Sequence, residues 1–103
     1  MAKKKQLALL HPGEILREEF LKPLNLSAGA LAKRLGVPRT RIERIVEERI
    51  GISADSALRL SKALGTTPPF WLNLQNNYDL HVAERAVGKK LARIKPVVAE
   101  LMS

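Results

Sequence analysis

Cysteine is missing altogether. That removes disulfides, thiolate nucleophiles and cysteine-ligated metals, and it fits a reducing compartment such as the cytoplasm. Histidine is nearly missing too: His11 and His81 stand 70 positions apart, with no HxxxH or HxE spacing near either. Both are expected at the surface, and no metal site is expected. No apolar run approaches the ~18–20 residues of a membrane span, so no membrane partner is expected. The start, MAKKKQLALLHPGE, is basic with a few leucines, but Pro12 and Glu14 follow at once and no signal-peptide core is read there.

Catalytic groupings are equally absent. Glu18 with Glu19, and Glu47 with Glu48, are adjacent pairs whose carboxylates point apart on a helix instead of converging on a substrate. Ser53 and Ser56 have no histidine in the same element, and Gly88-Lys89-Lys90 lacks the first glycine and the Ser/Thr of a phosphate-binding loop. Neither an enzyme nor a cofactor is expected.

What the chain has is positive charge, placed unevenly. The net charge of +8 over 103 residues divides into +3 for residues 1–10, −1 for 11–26, +3 for 27–51, zero for 52–80 and +3 for 81–103. A length of this order supports one domain with a modest core. Phosphate backbones attract such a surface whatever their sequence; basic tails that merely keep the chain soluble are the plainer alternative.

The middle block, SAGALAKRLGVPRTRIERIVE from Ser27 to Glu47, organises the rest. Leu31 and Leu35 line one face of a helix, Ala32 is small where a second helix must cross, and Gly36 permits a positive φ in the turn between them. Ile42, Ile45, Val46 and Arg49 share one face of the following helix at the 3.6-residue period, while Thr40, Arg41, Arg44, Glu47 and Glu48 fall opposite. This is the pattern of a helix-turn-helix that lays its second helix in the DNA major groove. An αα-hairpin with a solvated basic face has the same pattern.

The flanks read as helices as well, giving an all-α, compact five-helix domain with a central helix-turn-helix and basic tails. Residues 1–10 are expected to be a flexible basic arm, 11–88 the domain and 89–103 a basic tail that could be strand, helix or disordered. The first helix opens near Pro12, buries Ile15, Leu16 and Phe20, and ends at Pro23. Ser27 caps the second, and Pro38 is expected at N1 of the third. Ser53 caps a fourth that buries Ala57, Leu60, Ser61 and Leu64 and stops at Gly65. Thr67 and Pro68 open a fifth, expected to end at Gly88. Its Phe70, Trp71, Leu72, Leu74, Tyr78 and Leu80 are more apolar surface than a small core needs. Phe70 and Leu74 are assigned inward, and Trp71 and Tyr78 to a homodimer interface, each pairing apolar area with a polar tip. The alternative is that all six are internal.

With those residues in place, LGVPRTRIERIV resembles the helix-turn-helix of Cro/C1-type (XRE) regulators. HPGEIL, GISADSALRLSKALGTTPPFWLNLQNNYDL and KKLARIKP look like the HigA (VapI-like) branch of antitoxins, over roughly residues 11–96. The resemblance implies a cytoplasmic antitoxin of a type II toxin–antitoxin pair. Such a protein binds operator DNA as a homodimer, represses its own operon and neutralises a HigB-like, mRNA-cleaving toxin. The alternatives are a stand-alone repressor without a toxin and an adaptor that has lost DNA affinity. The DNA-binding set is Ser27, Lys33, Arg34, Arg39, Thr40, Arg41 and Arg44, with Arg44 the leading base reader and Lys33 and Arg34 on phosphate. Two positions depart from the family. Members commonly end the reading helix with asparagine and glycine where this chain has Glu47 and Glu48, and carry glutamine where it has Ala28. The reading helix is therefore expected to run a turn longer, towards Gly51, with two carboxylates close to phosphate.

Overall fold

The computed structural model describes residues 10–98. Five helices follow one another: α1 (Pro12–Ile15), continued by a π-helical segment (Leu16–Leu21), then α2 (Ala28–Leu35), α3 (Arg39–Val46), α4 (Ala54–Leu64) and α5 (Pro68–Leu91), with no strand among the described residues. Leu16, Leu31, Ile42, Ile45, Leu60 and Trp71 are the fully buried centre, one or more from each helix. The expectation for residues 1–9 falls outside the described residues, but Leu10 is already buried in the core, so the arm does not extend to it.

The HPGE run has a physical reason at every position. His11 is not at the surface, as its sequence context suggested; it is buried, and its Nδ1 accepts the Gly13 N–H at 2.9 Å as the cap of α1. Pro12 supplies the preset φ of the first turn, and Glu14 complements the helix dipole. Gly13 is there because α1 crosses α3 at backbone contact. A Cβ at that position would stand 1.7 Å from the Ile45 carbonyl oxygen. The π-helical register that follows puts Leu16 and Leu21, five residues apart, both in the core. Phe20 is only half-buried, set against Trp71 at 5.4 Å between ring centroids. Asn25, in the left-handed region at φ 52°, then reverses the chain into α2.

Two expected helix ends move. α3 does not run on towards Gly51: it stops at Val46, and Glu48 takes the left-handed conformation at φ 63°. Arg49, expected on the buried face of α3, lies beyond it and is exposed. The stop is made by the neighbouring helix, since the Arg17 guanidinium donates to the Val46 carbonyl and pairs with the Glu48 carboxylate at 3.3 Å. Pro38 serves as N-cap and not as the first helical residue. In α5, Gly88 does not terminate; with open space around it, the helix continues to Leu91, into the stretch left undecided as a tail. Ser27, Ser53 and Thr67 cap α2, α4 and α5 as the sequence indicates, and Gly36 and Gly65 close α2 and α4 at φ 71° and 73°. Each such side-chain cap is worth about 1 kcal/mol.

Trp71 corrects the interface assignment. It is completely buried, its indole N–H donates to the Thr66 hydroxyl at 2.7 Å, and both its apolar area and its polar tip are satisfied inside one chain. Phe70, assigned inward, is the partly exposed member of the pair, edge-on to Trp71 at 5.0 Å. Leu74 is buried as expected, and Tyr78 is half-buried with its ring edge-to-face on His11 at 5.0 Å.

Candidate nucleic-acid interface

α2 and α3 pack against each other through Leu31, Ala32, Leu35, Ile42 and Ile45, with Gly36 in the turn between them. Burying both isoleucines fixes the rotation of α3 and turns Thr40 and Arg44 outward, since they lie about half a turn away on the helix. Thr40 and Arg44 are exposed, and Arg44 makes no ion pair among the described residues. Arg39 pairs along its own helix with Glu43 at 3.3 Å, and its aliphatic stem lies over Gly29 of α2, where a Cβ would come within 2.9 Å of Cδ. A glycine inside a helix costs about 1 kcal/mol relative to alanine; at Gly29 it leaves room for the exposed Arg39 stem to lie against α2.

Arg41 is placed differently from the other two arginines. It is half-buried on the α4 side of α3, pairs with the Asp55 carboxylate and approaches the Ser56 hydroxyl at 3.5 Å. Asp55 also accepts from Arg59 Nε at 2.9 Å, and Arg59 Nη1 donates to the Leu35 carbonyl at 2.7 Å, closing the C-terminal end of α2. Hydrogen bonds from Arg41 first, then Arg59, hold the Asp55 carboxyl below the usual carboxylate range.

Ser27 is exposed at the start of α2, its Oγ accepting the Ala30 N–H at 3.0 Å, which leaves its hydroxyl hydrogen free to donate outward. A shallow depression of about 510 Å³ opens there, bounded among others by Arg17, Lys22, Asn25, Ser27 and Ala28. Lys33 and Arg34 are exposed on the last turn of α2. The fold thus gathers Ser27, Arg39, Thr40 and Arg44 around α3 and the start of α2, with Lys33 and Arg34 one helix end away. Glu47 pairs with Arg49 at 3.5 Å, and Glu48 is turned towards Arg17 of the π-helical segment. Sequence reading missed Arg17, Gly29 and Asp55. Gly29 carried a signal, an unexplained glycine within a helix; Asp55 carried a weaker one, an acid four residues before Arg59.

Such a surface offers guanidinium groups for guanine edges and phosphates, a threonine methyl for thymine, and a helix N-terminus for phosphate. It offers no group of three His, Cys, Asp or Glu side chains able to hold a metal among the described residues, nor a helix there long and apolar enough to cross a membrane.

Comparison with known proteins agrees with this geometry. Residues 17–72 match the helix-turn-helix family. Virulence-associated protein I of Dichelobacter nodosus is 55% identical over 84 residues, covering 82% of this chain and 78% of that protein. Antitoxin HigA-1 of Vibrio cholerae is 35% identical over 89 residues, 86% of this chain and 84% of the relative. Among solved structures, the Pseudomonas aeruginosa antitoxin HigA with higBA promoter superposes with a TM-score of 0.83 at 46% identity, over 86% of this chain and 98% of that one.

Proposed function

The chain belongs to the XRE-type helix-turn-helix family, in its HigA and VapI-like branch of non-enzymatic DNA-binding regulators and antitoxins, and from that premise we propose that it is a cytoplasmic antitoxin that represses its own operon. The observation that carries the DNA-binding part is the outward face of α3. Ile42 and Ile45 are wholly buried, so Thr40 and Arg44 project from the opposite side with Arg39 at the flank. Arg44 is the base reader and Arg39 and Thr40 its neighbours in the groove; Ser27, Lys33 and Arg34 meet phosphate. Glu48 is engaged by Arg17, so it gives no reason to read the chain as an adaptor without DNA affinity.

The partner on the protein side is a HigB-like toxin that cleaves mRNA, neutralised by complex formation. A homodimer presents two reading helices, because one helix-turn-helix spans too few base pairs to select a promoter from a genome of competitors. The dimer surface is the outer stripe of α5. Leu80, Val87 and Leu91, at i, i+7 and i+11, are all exposed, and they lie on the side of the helix away from Trp71.

Two measurements test the proposal. The chain should shift duplex DNA from its own promoter in a salt-dependent manner and release scrambled duplex of equal length. The untagged product of the neighbouring gene should co-purify with it. DNA binding without a co-purifying neighbour would identify a stand-alone repressor; no binding to the promoter duplex at low salt would refute the reading.

A further inference from the structure

We propose that Asp55 sets the selectivity of the reading surface by holding the Arg41 guanidinium against α4, where it is withheld from indiscriminate phosphate contact; this rests on the DNA-binding reading of α3 above. Three arginines leave α3, two in its first turn and Arg44 in its last, and they are not equivalent. Arg39 is tied only along its own helix, to Glu43 at 3.3 Å, and its side chain remains 72% exposed. Arg44 has no ion pair among the described residues. Arg41 alone is tied to another helix, with 33% of its side chain exposed.

The far end of the tie is anchored in α4 and shared with a second arginine. Asp55 is the second residue of α4, two positions after the capping Ser53, and the same oxygen, Oδ2, accepts from both Arg41 and Arg59. Arg59 cannot swing away, since its other end closes α2 at the Leu35 carbonyl. The carboxylate is therefore pinned from behind, and Arg41 is the partner left facing the groove side. One carboxylate faces both guanidiniums, so the cluster stays net positive while Arg41 is held in place, and the hydrogen bonds from Arg41 and Arg59 that lower the Asp55 carboxyl favour its ionised form.

The consequence follows from counterion release. A free arginine near DNA gains a phosphate contact on every sequence alike, raising affinity without selectivity. An arginine held by a carboxylate contributes only where a particular groove geometry brings a better acceptor within its reach. Asp55 thereby lowers non-specific affinity more than it lowers affinity for the operator.

The test compares the full-length chain with Asp55→Asn and Asp55→Ser, both uncharged and still able to accept a hydrogen bond. Binding to the chain's own promoter duplex and to a scrambled duplex is followed by fluorescence anisotropy from about 50 to 200 mM salt. Releasing Arg41 should raise affinity for scrambled duplex several-fold at the low-salt end. It should also steepen the slope of log K against log salt by about 0.9, one further phosphate, and reduce the promoter-to-scrambled ratio. In an Arg41→Gln background the Asp55 substitutions should change neither slope nor ratio. Unchanged slope and ratio in both single variants would overturn the inference, as would an equal change in the Arg41→Gln background, which would make Asp55 a diffuse charge and not a holder of Arg41. A wild type that binds neither duplex at low salt refutes the DNA-binding reading itself, an outcome distinct from either.

Discussion

Gly13 and the Ile45 carbonyl oxygen meet at backbone contact, so closely that a methyl group on residue 13 would stand 1.7 Å from that oxygen. This one approach docks α1 on the last turn of the reading helix. Alanine inside a helix ordinarily stabilises by about 1 kcal/mol over glycine, so local propensity predicts a gain for Gly13→Ala. Overpacking against a backbone atom predicts the opposite, a loss of about 1–3 kcal/mol, and it should win because a carbonyl oxygen cannot rotate aside. Urea unfolding decides the sign, and a Gly13→Ala variant as stable as the wild type would show that α1 can shift freely.

Glu48 presents a second competition. It occupies the left-handed region at φ 63°, which costs a non-glycine residue about 1 kcal/mol, and the compensation is its half-exposed pairing with Arg17, worth about 0–1 kcal/mol. Glu48→Gly loses the pair but relieves the backbone; Glu48→Ala loses the pair and keeps the strain. The glycine variant should therefore be the more stable of the two by about 1 kcal/mol. Equal midpoints in denaturant would mean that the loop after α3 relaxes to another conformation.

Residue spacing along the chain was enough to locate four of the five helix starts, the buried faces of α2, α3 and α4, and the two glycine stops, because each is decided within about four residues of itself. Two of the failures come from a contact with a distant part of the chain. α3 was expected to run on because nothing local stops it; Arg17, from the first helix, does. His11 reads as solvent-exposed from its neighbours because its aromatic partner, Tyr78, is 67 positions away, although the Gly13 N–H that it caps is only two residues on. Trp71 was placed at an interface for its polar indole N–H, yet Thr66, the residue that satisfies it, is only five positions earlier. Likewise the basic reading set was apparent from its pattern, but the difference between Arg41 and Arg44 was not, since it depends on which helix lies alongside.

His11 makes stability depend on pH. Burial pushes its imidazole below the ordinary value of 6.5, opposed by the nearby Glu48 and Asp79 carboxylates. Its Nδ1 must be unprotonated to accept the Gly13 N–H. A histidine depressed in the folded state leaves the unfolded chain binding more protons in that window, so stability rises with pH there. The contribution is full above 6.5 and is lost as pH falls through the ordinary imidazole range towards the lowered folded value. His11→Asn, which keeps a capping acceptor without titrating, should flatten the dependence between pH 7 and the onset of carboxylate titration. Denaturant midpoints of the two proteins falling in parallel over that window would remove His11 as the source.

On DNA, Arg44 should behave as a base reader and Lys33 and Arg34 as phosphate contacts. Arg44→Ala is expected to cost about 1–3 kcal/mol on the promoter duplex and to relax preference at one base pair. Lys33→Ala and Arg34→Ala should weaken all sequences alike, each lowering the salt slope by about 1. Unchanged affinity and preference in Arg44→Ala would remove it from the base-reading role.

The outer stripe of α5 carries the last expectation. Trp71→Ala cannot test dimerisation, because emptying a wholly buried indole site costs about 3–5 kcal/mol and unfolds much of a domain this size. Leu80 and Leu91 can, since 62% and 47% of their surface is exposed in the single chain. A glutamate at either position is solvated in a monomer, so the fold should tolerate it. In a symmetric dimer each change places two like charges on an apolar seam and leaves them desolvated, a penalty of several kcal/mol. The Leu80→Glu, Leu91→Glu double variant should therefore stay folded by circular dichroism, with a thermal midpoint lowered only by the lost association, sediment as a monomer at concentrations where the wild type is a dimer, and bind one half-site instead of two. Losing the second reading helix should weaken operator binding far more than any single phosphate contact does. A wild type that sediments as a monomer at tens of micromolar, roughly where an interface of standard size still holds, would exclude this stripe as the seam; a double variant that remains dimeric would move the seam elsewhere on the chain.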